Sequence, residues 1–372
     1  MSIWRPAIAG AGAIGSGVGL ARFAYVPLFP AMVGAGWVDG GGAGLLGAAN
    51  FAGYLAGVLS GRSIAARTGI PRALDLGMAL AAVAFAAMAL DLGLGWFVLW
   101  RGLAGVAGGV LMALTGPAVQ ASMPEGARGA AGGVVMAGVG VGVVLASALV
   151  PLLLGAGGLP LAWGGLAVLV AAVWMWLRGW WPDPPRLAPA EASGAVPRAP
   201  WLLLAYGLSG AGMVAPMVYL ADLAVRGRGL PVEGGALVWT LFGVGAGLGT
   251  ILGGRVAGRI GGLRALPIWM GVQVGALGLA LVPWWPALML SGLANGFAGV
   301  GATAVALAAA RNLAGPRAGV IWVRATAGYA VAQAGTAFAL AALFAATGER
   351  HAVVFGAGLV LSVLALGASL RR

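Results

Sequence analysis

The chain has 372 residues, 61% of them hydrophobic and only 8% charged, against roughly 25% charged in a soluble protein, so it cannot keep a water-facing surface and belongs in a bilayer. The absence of cysteine and the presence of one histidine, His351, exclude disulfides, thiolate metal sites, zinc clusters and a Ser-His-Asp triad. All 21 basic residues are arginine, which leaves no lysine for an ATP-binding Walker A loop. The net charge of +12 is spread by loop rather than gathered for nucleic acid.

In chain order, apolar runs between charges and Gly/Pro punctuation predict spans near 6–29, 40–61, 73–93, 95–118, 129–154, 159–178, 201–222, 234–254, 265–284, 286–310, 319–346 and 351–369. Each is close to the roughly 20 residues needed to cross the hydrocarbon core. The first follows Arg5 without a short signal-peptide core and is read as a retained anchor, a cleaved signal being the alternative. Residues 179–200 (GWWPDPPRLAPAEASGAVPRAP) are proline-rich and polar, and form a linker between an N-terminal half, 1–178, and a C-terminal half, 201–372. The expected fold is an all-α polytopic membrane protein of twelve transmembrane helices in two pseudo-symmetric six-helix halves.

One set of ends carries Arg5, Arg62, Arg67, Arg72, Arg128, Arg178, Arg186, Arg198, Arg255, Arg259, Arg264, Arg311, Arg317, Arg371 and Arg372, and the other only Arg226, Arg228 and Arg350. The positive-inside rule therefore places both termini and the linker in the cytoplasm.

The halves repeat one plan. Gly61, Ala65, Arg67, Gly69, Arg72, Ala73 and Leu74 return 192 residues later (61 to 253) as Gly253, Ala257, Arg259, Gly261, Arg264, Ala265 and Leu266. Before them, Gly53 and Gly57 are answered by Gly245 and Gly249, a stripe of small residues that lets helix backbones approach in lipid. A weaker echo pairs Gly102, Leu103, Ala104 and Gly109 with Gly292, Leu293, Ala294 and Gly299.

These residues resemble the major facilitator superfamily over nearly the whole chain. Its loop motif, Gly-x-x-x-Asp-Arg-x-Gly-x-x-Arg, is matched at Arg67, Gly69 and Arg72, with Ala66 at the acidic position, and the second copy has Gly258 there. Arg101-x-x-Ala104-Gly105 is similar to the family's Arg-x-x-Gln-Gly. The run Gly19 to Met32 and Gly138-Val-Gly140-Val-Gly142 are similar to a largely uncharacterised bacterial inner-membrane subfamily. The resemblance implies secondary transport by alternating access, with the first, fourth, seventh and tenth helices lining the path.

A charge inside a span costs at least about 2.5–3.5 kcal/mol at the bilayer centre and normally faces a water-filled path or a partner. Arg22, Arg101 and Arg324 fall inside spans, while no Asp or Glu is expected mid-membrane. Arg324 lies near a span end and is read as snorkelling. The repeat sets Val214 opposite Arg22 and Ser291 opposite Arg101, so neither arginine follows from the duplicated scaffold. Guanidinium suits bidentate binding of carboxylate, phosphate or sulfonate. Arg22 and Arg101 are thus candidates for an anion site, or else for a latch on carbonyls, Asp91 or Asp222. Tyr25, Asn50, Tyr54, Asn295, Tyr329 and Gln333 are the polar residues expected to order the rest of the substrate, interhelical hydrogen bonding being their other reading.

Gln273 is assigned to packing, Trp239 and Phe242 to anchoring at the membrane interface, and Gly10-x-Gly12-x-x-Gly15, with no strand before it, to helix packing. Arg67, Gly69, Arg72, Arg259, Gly261 and Arg264 form the cytoplasmic loop motif. The leading function is a secondary transporter of a small organic anion, symporter or antiporter, acting as a monomer in the inner membrane, with a proton as a possible coupling ion and no cofactor. The alternative is a proton-coupled exporter of drugs or amphipaths. An outsider is Cu(I) uptake through Met213 and Met217. A scaffold role finds no docking loops, and an enzyme no nucleophile-base pair.

Overall fold

A computed structural model describes residues 3–182 and 198–371, so most of the linker at 179–200, with Asp183, Arg186 and Glu191, lies outside the described residues. Among the described residues all regular structure is helical, and eleven stretches are long and apolar enough to cross a membrane. The longest, Glu125–Trp180, holds two spans. Gly157 and Gly158 leave helical geometry, with Gly158 at φ 66°, a left-handed conformation that glycine adopts without steric cost. The break falls in the gap left by the sequence between 154 and 159, and brings the spans to twelve.

The helices are α1 (Arg5–Ile14), α2 (Tyr25–Gly34), α3 (Gly40–Thr68), α4 (Ile70–Met88), α5 (Leu94–Ala121), α6 (Arg128–Leu177, turned at its glycines), α7 (Pro200–Gly212), α8 (Val214–Asp222), α9 (Val232–Ile260), α10 (Gly262–Leu281), α11 (Trp285–Ala314), α12 (Ala318–Ala346) and α13 (His351–Ser369). They form two compact units, Met1–Leu187 and Ala188–Arg372.

Within the first unit α3 lies along α5, α4 packs on α5 and α6, and α1 packs on α6. A Cβ on Gly53 would stand 1.9 Å from the carbonyl oxygen of Gly102, and one on Gly57 2.2 Å from that of Val106, so the two backbones touch. Within the second unit α9 and α11 meet the same way: a Cβ on Gly245 or Gly249 would stand 2.0 Å from the carbonyl oxygen of Leu293 or Phe297. The repeated glycine stripe is therefore a backbone contact in both units. α7 packs on α12 and α13, and α10 on α11 and α13. Leu59, Leu152 and Val168 are among many large apolar side chains turned outward, as a protein solvated by lipid requires.

The first and seventh spans are not continuous helices. The structure corrects one sequence reading. Trp239 and Phe242 are not interface anchors: both are wholly buried, their rings stacked 4.4 Å apart.

Candidate functional site

The first span is broken by its own sequence. Proline has no N–H and cannot extend a helical ladder, so Pro27 leaves the carbonyl of Phe23 without its usual donor. The chain answers with a π-helical turn, Gly15–Leu20, and four turn residues before α2 restarts at Tyr25. Ala21 bonds back to the carbonyl of Ser16, and Val26 to that of Phe23. Arg22 sits in this break rather than on a helix.

Arg101, from the first turns of α5, reaches the break and is 1% exposed. Its Nη1 donates to the Ala21 carbonyl at 2.8 Å and Nη2 to the Arg22 carbonyl at 3.4 Å, and the guanidinium carbon lies 4.4 Å from the centre of the Tyr25 ring. Asn50 of α3 is also buried, and its Nδ2 donates to the carbonyls of Ala21 (3.4 Å) and Arg101 (3.1 Å). The Arg22 guanidinium lies over the rings of Phe51 (4.2 Å) and Tyr54 (4.7 Å), within cation–π range. Tyr25 donates its hydroxyl to the Ala43 carbonyl at 2.7 Å. Thus Arg22, Tyr25, Asn50, Tyr54 and Arg101 are brought to one place. Arg101 Nε and Asn50 Oδ1 make no hydrogen bond there.

In the second unit the seventh span breaks at Met213, four residues beyond Ser209 and three before Pro216, which cannot donate to the Gly212 carbonyl. This break is held by neutral groups. Gln273 Nε2 donates to the Ser209 carbonyl (3.0 Å) and to Ser362 Oγ (2.8 Å), while Ser209 Oγ donates to Gln273 Oε1 (2.6 Å). Asn295 is buried and donates to Ser291 on its own helix. Gln333 donates to Met217 Sδ at 3.4 Å, and Tyr329 stacks on Tyr206 with centroids 4.5 Å apart. These three predicted residues each rest on a different partner. Met213 packs against Gly299, and among the described residues no cluster of His, Cys, Asp or Glu fit to hold a metal ion is present.

The loop-motif arginines Arg67, Arg72, Arg259 and Arg264 are exposed, and Gly69 (φ 84°) and Gly261 (φ 87°) turn α3 into α4 and α9 into α10. Arg324 is also exposed.

The contacts of two acids escaped sequence reasoning. Asp222, 0% exposed at the end of α8, accepts from Arg226 at 3.3 Å and lies 2.7 Å from His351 Nε2 at the start of α13. Arg226 also pairs with Glu349. Asp75 accepts the indole N–H of both Trp174 (2.6 Å) and Trp181 (2.9 Å). The lone histidine was a signal for the first; nothing in the sequence pairs it with an acid 129 positions away.

A family model described as "Uncharacterised MFS-type transporter YbfB" matches residues 14–370. A search of curated proteins finds no significant sequence relative. Among solved structures, the chain is similar to a point mutant of the nucleoside transporter NupG (TM-score 0.76, 12% identity, 98% of this chain and 99% of that one). It is also similar to a D-xylose–proton symporter (0.74, 16%, 99% and 97%) and to an inward-facing bacterial homologue of the human lysosomal transporter Spinster (0.70, 16%, 99% and 97%). At these identities the likeness is one of fold.

Proposed function

Because this chain belongs to the YbfB-type family of the major facilitator superfamily, it is a secondary membrane transporter and not an enzyme; from that premise we propose that its solute is a small organic anion. The carrying observation is Arg101. Its hydrogen-bond partners are backbone carbonyls, which orient a cation without neutralising it, and the spans of its unit carry Asp and Glu only near their ends. A second guanidinium, Arg22, stands on the same break over aromatic faces. Two cations side by side in a low-dielectric setting attract an anion strongly.

The roles divide by environment. Arg101 is the positioning residue that holds the break. Arg22, less buried and stacked on Phe51 and Tyr54, is the group that meets the solute's carboxylate, phosphate or sulfonate. Tyr54 and Asn50 order its neutral part, and Asn295, Tyr329 and Gln333 are the polar candidates of the second unit for the same task. Alternating access by a monomer of the inner membrane with both termini cytoplasmic completes the proposal.

The test is uptake of labelled carboxylates, phosphates and sulfonates into proteoliposomes. Arg22→Gln is expected to remove transport of the accepted anion while the protein stays folded; transport at the wild-type rate overturns the assignment. Proton-coupled export of amphipaths is the second reading, favoured by the buried contact of Asp222 with His351 at 2.7 Å. Loss of pH-driven drug export in Asp222→Asn, with no anion transported, would put that reading first.

A further inference from the structure

Beside the Asp222–His351 pair, the second unit contains a cavity of about 260 Å³. It lies where three connections meet: the segment after α8, the end of α10 and the start of α13. One wall is apolar, formed by Leu223, Ala280, Leu281 and Phe355. The other carries Arg228, Glu349, Arg350 and His351. We propose that this cavity binds the phosphodiester headgroup of a membrane lipid.

The charge on the wall points to an anion. Arg228 Nη2 donates to the carbonyls of Ala280 (3.1 Å) and Val282 (3.3 Å), which fixes the guanidinium against the end of α10, yet its Nε is buried without a hydrogen bond. Arg350 is exposed on the rim. The acids at the cavity are neutralised by cations: Glu349, in its wall, pairs with Arg226, and Asp222, beside it, with Arg226 and His351. Two arginines therefore line one small space, and paired guanidinium groups are suited to recognising phosphate. Glu349 holds a left-handed backbone, φ 62°, rare for a residue other than glycine. Its ion pair with Arg226 fixes the turn that presents Arg350. The first turn of α13 adds to the field, since it has neither a side-chain cap nor an acidic residue.

Position and size select the lipid over a soluble anion. Trp284 (63% exposed) and Trp285 (56%) directly follow the α10 end of the cavity, and outward tryptophans mark the headgroup level of a bilayer. The volume is below the roughly 300–1,000 Å³ of sites that enclose a whole ligand. It suits a headgroup whose acyl chains leave along the apolar wall.

The test uses full-length protein in detergent, with thermal unfolding as readout and three probes: dihexanoyl phosphatidylglycerol, dihexanoylglycerol and inorganic phosphate. A ligand that binds only the folded state raises Tm. The phosphatidylglycerol is expected to raise it by several degrees and the two others not to. The rise should fall by at least half in Arg350→Gln, whose side chain is exposed, and vanish in Arg228→Gln/Arg350→Gln. Inorganic phosphate giving the same rise overturns the lipid assignment. An equal rise with dihexanoylglycerol, no rise in the wild type, or an undiminished rise in Arg350→Gln overturns the phosphate site.

Discussion

In the N-terminal unit the broken first span is held by Arg101, a cation donating to the carbonyls of Ala21 and Arg22. In the C-terminal unit the broken seventh span is held by Gln273, which donates to the Ser209 carbonyl and to Ser362. Both breaks leave main-chain carbonyls beside an interrupted helix in a medium without water. In the C-terminal unit an amide braces a carbonyl that already accepts from the Met213 N–H, so bracing a break does not in itself call for a guanidinium. The excess charge at Arg101 is a property the fold does not demand, and this is why the anion reading rests on the N-terminal unit. The glycine contacts of α3 with α5 and of α9 with α11 provide the control, because there the two units are alike.

The largest effect expected is on that shared feature. Gly53→Ala and Gly245→Ala each drive a methyl to within 2.0 Å of a carbonyl oxygen, which only backbone movement can relieve. Overpacking of this kind typically costs about 1–3 kcal/mol, and both variants should sit at the upper end and lose Tm equally. A large loss in one and none in the other would show that the repeat is a likeness of sequence without equal packing.

Next comes Arg101→Gln. It removes the charged donor from the carbonyls of Ala21, which keeps Asn50, and Arg22, at about 1–3 kcal/mol, and should lower transport at least about tenfold by releasing Arg22 from its position. Gln273→Leu is its counterpart: about 1–3 kcal/mol lost because the buried Ser209 hydroxyl is left without its acceptor, with transport of the anion kept within about twofold. Transport assays on the two variants side by side decide the matter, since equal losses of transport would mean that each pin serves only the fold.

The twelve spans and the glycine stripes were legible because each is written in local composition and repeats along the chain. Arg22 and Arg101 were legible as anomalies, since charge in an apolar run has a cost wherever it falls. What Arg101 touches was not. Its partners are main-chain oxygens, which every residue carries, exposed in the turn between the π-helical segment Gly15–Leu20 and α2. The Asp222–His351 contact was hidden for another reason: it joins residues far apart in sequence at span ends, where a charge is unremarkable. Trp239 was misread because a tryptophan's burial depends on the neighbouring helix, which a single sequence does not display.

The smallest effect tests the repeat at its point of greatest divergence. Ser291 stands where the duplication would place Arg101; its Oγ donates to the Ala276 carbonyl at 2.7 Å and accepts from Asn295 Nδ2 at 3.0 Å. Side-chain hydrogen bonds between membrane helices average about 0.6 kcal/mol, so Ser291→Ala should change thermal unfolding by only that order and leave transport intact. The Ala276 carbonyl keeps its place in the α10 ladder, whereas the Ala21 carbonyl in the N-terminal unit lies in a turn and depends on Arg101 and Asn50. If Ser291→Ala instead matched Arg101→Gln in both Tm and transport, the serine and the arginine would be equivalent pins, and the charge at position 101 would have no bearing on the solute.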